Sequence, residues 1–144
     1  MSTYTIRIAN WQNDDQLFRS VREDVFVKEQ QVPVEMEWDG FDSDSLHVLA
    51  IDKNGRPIGT ARLLPDGHIG RMAVLKEWRK KGVGSALLRR LLVEVEKRKF
   101  QQVALNSQRY AVDFYKKFGF QIEGDEFIDA GIPHVKMVRN MQKK

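Results

Sequence analysis

The stretch from His68 to Asn106 leaves this chain few ways to fold. Val83, Leu87, Leu88, Leu91, Leu92 and Val95 recur at intervals of three and four, with Arg89, Arg90, Glu94 and Lys97 between them. That spacing makes one apolar stripe on a helix of several turns. Strand-like runs stand on either side, His68 to Leu75 before it and Gln101 to Asn106 after it. Strand, helix and strand with short connections imply a parallel pair joined by a crossover. Upstream, Leu46 to Asp52 and Pro57 to Leu64 flank Asn54-Gly55, a pair that favours a tight hairpin, and Pro65-Asp66-Gly67 turns the chain again. The expectation is a three-stranded antiparallel meander leading into a parallel β-α-β unit.

The remaining segments add to that frame. Tyr4 to Ala9 alternates Ile6 and Ile8 with Thr5 and Arg7, the pattern of a half-buried strand. Asn13 and Asp14 are expected to cap a helix carrying Leu17, Phe18, Val21 and Val25 and continuing through Phe26. Lys28 to Asp44 has no clean period and is punctuated by Pro33 and Asp39-Gly40, which predicts a loop with room for a short helix. Asp113 to Phe118 is expected as a helix stopped at Gly119, and strands are expected at Phe120 to Ile122 and Val135 to Arg139. The fold class is α+β, a mixed sheet with helices on both faces. With 144 residues the chain suits a single domain over 1–144.

Composition excludes several classes. No apolar run approaches the ~20 residues that span a bilayer, so no membrane role is expected. The first residues lack a basic flank and apolar core of the secretory kind, and the expected location is cytoplasmic. Without cysteine there is no disulfide, thiolate metal site or thiol nucleophile. Three scattered histidines with no paired-histidine helix predict no metal. Ser20, Ser85 and Ser107 lack the glycine-flanked elbow of a hydrolase. Trp11, Trp38 and Trp78 are isolated and are expected to pack. The formal net charge of +4 hides an asymmetry: acids outnumber bases ten to three between Asn13 and Asp44, and bases outnumber acids nine to three between Lys76 and Lys99.

The basic segment contains the motif that carries chemistry. Met72-Ala73-Val74 reads as the end of a strand, Arg79-Lys80-Lys81-Gly82-Val83-Gly84 as a turn, and Ser85 onward as helix. Glycines at such a turn admit an anion close to the backbone, and the helix start offers unpaired N–H groups and the positive end of its dipole. Neither Gly82 nor Gly84 is followed by Lys, so this is not a nucleotide-hydrolysing loop of the Walker kind. The third glycine of a dinucleotide fingerprint is absent, and the turn follows antiparallel strands.

Arg-x-x-Gly-x-Gly after a strand ending in Ala-Val, then an amphipathic helix, then Phe114-Tyr115-Lys116-Lys117-Phe118-Gly119-Phe120, resembles the GNAT family of acetyl-CoA-dependent N-acyltransferases over nearly the whole chain. Phe26-Val27-Lys28-Glu29-Gln30 and Asp129-Ala130-Gly131-Ile132-Pro133-His134 resemble its small bacterial ElaA-like subgroup. The resemblance implies a GNAT-like sheet in which backbone groups of the Met72, Ala73 and Val74 strand bind the pantetheine arm. It places the diphosphate at the turn through Arg79, Lys80, Lys81, Gly82, Val83, Gly84 and Ser85. Gln108 stands where the family often has Asn, and Asn106 is a second polar candidate for the arm.

Acetyl transfer needs a deprotonated amine, a positioned thioester and stabilisation of developing charge. By resemblance Tyr115 serves the departing thiolate. Many relatives carry a glutamate on the strand before the phosphate turn, but here that place is Gly70, followed by Arg71. The base candidates are therefore Glu29, Glu35, His47, His68 and His134, the histidines because their ordinary pKa near ~6.5 permits proton exchange at neutral pH. His134 is preferred for catalysis or substrate contact. His47, between Leu46 and Val48, is placed where it can face solvent, and Glu29 and Gln30 are placed in the acceptor pocket.

The leading expectation is an acetyltransferase acting on a primary amine of a small molecule or peptide by direct attack in a ternary complex, as a monomer or homodimer. Neutralising Glu29, Glu35 and Glu37 tests whether the acidic segment attracts a cationic acceptor. The alternative is a non-enzymatic acyl-CoA sensor. Nucleic acid is not the expected partner, because the basic residues surround a glycine turn and no reading motif accompanies them.

Overall fold

A computed structural model describes residues 3–9, 11–32 and 44–141, with the backbone alone at 11–13. Strand β1 (Tyr4–Ala9) leads to helix α1 (Trp11–Arg22), which runs without a break into a π-helical segment, Glu23–Glu29. Strands β2 (Leu46–Asp52), β3 (Pro57–Leu63) and β4 (His68–Val74) follow, then α2 (Val83–Lys97), β5 (Gln102–Gln108), α3 (Val112–Lys116), β6 (Gln121–Ile122), β7 (Phe127–Asp129) and β8 (Ile132–Asn140). They form one mixed sheet in the order β1-β2-β3-β4-β5-β8-β6, with β7 also on β8. The meander is antiparallel and β4 runs parallel to β5, so the α+β architecture expected from the sequence is present.

Both faces of the sheet are covered, and β2 shows how. Val48 and Ala50 enter the main core with Leu87, Leu88 and Leu91 of α2, whereas His47 and Leu49 point to α1, where the His47 ring stacks on Phe18 at 4.3 Å. His47 is 1% exposed, contrary to the expectation that it faces solvent. A central strand covered on both sides gives neither alternating face to water. The first helix also begins earlier than expected, at Trp11. Asp14, expected as a cap, instead chelates Arg7 through two bonds of 2.9 Å and ties α1 to β1.

The six apolar positions of α2 are all buried. They lie so close to the sheet that a Cβ on Gly59 would meet Leu87 Cδ1 and Val83 Cγ1 at 3.0 Å each. Gly59→Ala is expected to lower stability by about 1–3 kcal/mol through overpacking, read as a fall in urea midpoint with unchanged slope. Among the described residues no helix is long and apolar enough to cross a membrane.

Candidate active site

The parallel strands β4 and β5 pair only at His68 with Ala104 and Ile69 with Leu105. Beyond that they part. The register against β3 advances two residues on β3, Thr60 to Arg62, and three on β4, Ala73 to Gly70. The extra residue makes a bulge at Arg71, whose φ is 49°, and bulges bend and twist the strand that carries them. Leu75 N–H donates to Ile58 C=O on β3, so strand alternation turns the polar groups of Val74 away from β3 and into the gap. The gap opens as a cavity of about 850 Å³ between β4, β5, the π-helical segment, the start of α2, α3 and the β7–β8 hairpin.

The glycine-bearing turn before α2 forms one end of this cleft. A 3-10 turn at Lys76–Trp78 is followed by Lys80 at φ 63° and by Gly82 at φ 84°, the residue that opens α2. The first intrahelical bond there is donated by Ala86 to Gly82, so the amides of Val83, Gly84 and Ser85 precede the helix ladder. Met72, Ala73, Val74, Arg79, Lys80, Gly82, Val83, Gly84 and Ser85 all line the cleft. Lys81 does not; its ammonium lies 5.3 Å from the centre of the Trp78 ring. Trp78 itself lines the cleft and meets Tyr4 edge-on at 6.2 Å.

Arg79 holds its place through other bonds. Its Nε donates to Val74 C=O at 3.0 Å, and Nη1 and Nη2 donate to the two carboxylate oxygens of Glu29 at 2.6 and 2.7 Å. More than a third of each side chain is exposed, so the pair is worth little to stability and much to geometry. It joins the glycine-bearing turn to the π-helical segment. The Arg79 guanidinium, chiefly by hydrogen bonding, holds the Glu29 carboxyl below its usual range, and a carboxylate so favoured is a poor proton acceptor. Glu29 lies outside the lining, whereas Gln30 is within it and accepts from Gln108 Nε2 at 2.9 Å.

The far walls carry the candidate acid and base. Asn106 and Gln108 extend from β5 into the cleft, and Tyr115 reaches it from α3. The Tyr115 hydroxyl donates to Met72 Sδ at 3.6 Å, with Phe114 and Phe120 against its ring. Burial in these surroundings pushes its pKa up to about 12. His134, on β8 opposite Gln108, is 9% exposed and stacks on Phe127 at 6.0 Å. Its Nδ1 lies 2.7 Å from Ile132 C=O. A carbonyl only accepts, so Nδ1 bears the proton and Nε2 of the neutral ring keeps its lone pair.

The other base candidates are buried away from the cleft, paired with another side chain or outside the described residues. His47 is sealed beneath α1, outside the cleft. His68 lines it but is drawn by Nδ1 to Asp66 at 3.0 Å, and Glu35 lies outside the described residues. So does Glu37, so of the three glutamates expected to attract a cationic acceptor only Glu29 is described, and it is already paired with Arg79. Among the described residues no three His, Asp or Glu side chains gather as a metal site.

Comparison with known proteins agrees with this geometry. Residues 12–141 match the family model for the acetyltransferase (GNAT) domain. The chain belongs to the GNAT family. The Bacillus subtilis (strain 168) protein named uncharacterized N-acetyltransferase YjcF is 40% identical over 134 residues, 89% of this chain and 95% of that one. Among solved structures, Escherichia coli ElaA superposes with a TM-score of 0.84 at 27% identity, covering 95% of this chain and 99% of its own. An acyl-CoA N-acyltransferase from Pseudomonas aeruginosa gives 0.84 and 27%, covering 94% and 99%. The GNAT assignment makes this chain an acyltransferase of a family that uses acyl-CoA and an acceptor.

The sequence reading missed three parts of the GNAT cleft. The π-helical segment supplies Val25 and Phe26. Tyr110, 81% exposed, stands at the rim in a 3-10 turn. Arg109, the first residue of that turn and outside the cleft lining, chelates Glu126 at 2.6 and 2.9 Å. The β7–β8 hairpin brings Asp129, Ala130 and Ile132 alongside His134. Phe127 and Ile128 before Ala130-Gly131, with Ile132 after it, were the available signal for that hairpin.

Proposed function

We propose that this GNAT protein, acting as one catalytic domain over 1–144, transfers an acetyl group from acetyl-CoA to a primary amine by direct attack in a ternary complex. The observation that carries the reading is the parting of β4 from β5 into a cleft that has the amides of Val83 to Ser85 at one end and Tyr115 and His134 in its walls. Backbone amides at a helix start suit a diphosphate, and the open edge of β4 at Val74 suits the amide-bearing arm as an added strand. Lys80, Asn106 and Gln108 add polar contacts from the lining. Arg79 already uses three of its five N–H groups on Val74 and Glu29, so its main part is to hold the turn.

His134 Nε2 takes the proton of the attacking amine, the new C–N bond forms, and the C–S bond breaks to release a thiolate. Tyr115 donates a hydrogen bond to that sulfur. A phenol of pKa about 12 facing a thiol of ordinary value ~8.5 differs by roughly 3.5 units, about 5 kcal/mol against outright proton transfer. Tyr115 therefore stabilises the leaving charge while keeping its proton.

Titration calorimetry with CoA and acetyl-CoA, followed by free-thiol release with pooled polyamines, amino sugars, amino acids and peptides, tests this reading. Binding with amine-dependent thiol release is expected. Absence of binding overturns it, and binding without release from any amine replaces it with an acyl-CoA sensor.

A further inference from the structure

Gly70 has no structural need to be glycine. Its φ lies outside the left-handed range, and among the described residues nothing comes within 4 Å of the place a Cβ would occupy. Gly59, one strand away, is by contrast packed against Leu87 and Val83. A glycine inside a strand loses packing and often marks the close approach of a ligand. Gly70 lines the cleft and is the first residue of β4 beyond the last rung shared with β5.

The direction of the arm says which ligand group arrives there. A Cβ on Gly84 would lie 3.9 Å from Val74, so the phosphate turn stands level with the C-terminal end of β4. An arm laid along the strand from that end runs back toward Gly70, four residues and about 13 Å away at ~3.3 Å per residue. That is the length scale of an extended pantetheine. The π-helical segment packs on β4 and adds Val25 and Phe26 to the cavity wall, which Leu64 also lines.

We infer that the room left by Gly70 is an acyl pocket, and that the protein takes linear acyl groups longer than acetyl, of about butyryl length. This rests on the acyl-CoA reading above and goes beyond its acetyl assignment. Each buried methylene is worth about fourfold in affinity, so butyryl-CoA should bind about fifteen-fold tighter than acetyl-CoA.

The experiment is calorimetric titration of the wild type, Gly70→Ala and Gly70→Val with CoA, acetyl-, propionyl- and butyryl-CoA. The butyryl-to-acetyl preference should fall to about fourfold in Gly70→Ala and to about one in Gly70→Val. Gly70→Ala carries the test alone if Gly70→Val melts early. Equal affinities across the wild-type series overturn the inference while leaving acyl-CoA binding intact. A preference that survives both substitutions also overturns it, since the room then serves the acceptor. A wild type that binds none of the four ligands overturns the acyl-CoA reading, and the acyl pocket with it.

Discussion

Gly82→Val is expected to weaken CoA binding at least thirty-fold while costing only about 1–2 kcal/mol of folding stability. The stability cost follows from backbone conformation. At φ 84° and ψ 3° the residue is left-handed, where an L side chain is disfavoured by about 1–2 kcal/mol. Sterics add little, because among the described residues a Cβ there would meet only the Tyr4 hydroxyl, at 3.7 Å. The binding cost is larger because the strain is relieved where the ligand sits. Gly82 opens α2, and any rotation that brings its φ negative swings the amides of Val83, Gly84 and Ser85. Hydrogen bonds to a charged group are worth about 1.5–3 kcal/mol each, so misaligning two of them costs about a hundredfold or more, well past thirty-fold. Calorimetry with CoA beside a urea melt separates the two costs. Full affinity in a folded Gly82→Val protein removes the diphosphate from this turn.

What the sequence disclosed of the fold was what neighbouring residues decide. The apolar stripe of α2 is a local period, and each of its positions is buried. Asn54-Gly55 likewise closes the β2–β3 hairpin, with Gly55 at φ 84° and Asp52 Oδ1 accepting from the amides of Asn54 and Arg56. The strand–glycine turn–helix arrangement before α2 was legible for the same reason, since its parts are contiguous. Non-local pairing was not. Glu29 and Arg79 are fifty residues apart, and nothing near either one discloses that the carboxylate grips the guanidinium rather than the acceptor. The burial of His47 depends on α1 crossing β2, which its own apolar neighbours do not encode. The β7–β8 hairpin turns on Ala130 at φ 52° and Gly131 at φ 77°, and an alanine in the left-handed region is a weak turn signal. Its three-residue strand is exposed throughout, so no alternation marked it. As a result β8 begins three residues earlier than expected, at Ile132, which places His134 inside the strand, between Gln108 and Phe127.

Tyr115→Phe tests the leaving-group side of the chemistry, with an expected fall in kcat of about a hundredfold and little change in CoA affinity. The bond that the hydroxyl makes, to a thioether sulfur at 3.6 Å, is weak, so its removal leaves the α3 packing of Phe114 and Phe120 intact. The loss of rate follows from removing a positioned hydrogen-bond donor to the departing sulfur, since one such donor to a developing charge is typically worth about 10²–10³-fold. The pH dependence gives a second, independent reading. Burial raises the phenol from its ordinary 10 to about 12, so Tyr115 keeps its proton through the interval between about pH 9 and 11, where an exposed tyrosine would lose it. The wild type should therefore show no fall in kcat over that interval from ionisation of this group. Linkage runs in the same direction. The contribution of a group whose folded pKa is raised is complete below the unfolded value near 10 and is lost as pH climbs toward 12. Thermal melts of the wild type should accordingly decline above pH 10 more steeply than those of the phenylalanine variant. Equal kcat in the two proteins would remove the donor role, and equal alkaline melts would show that the hydroxyl is solvated.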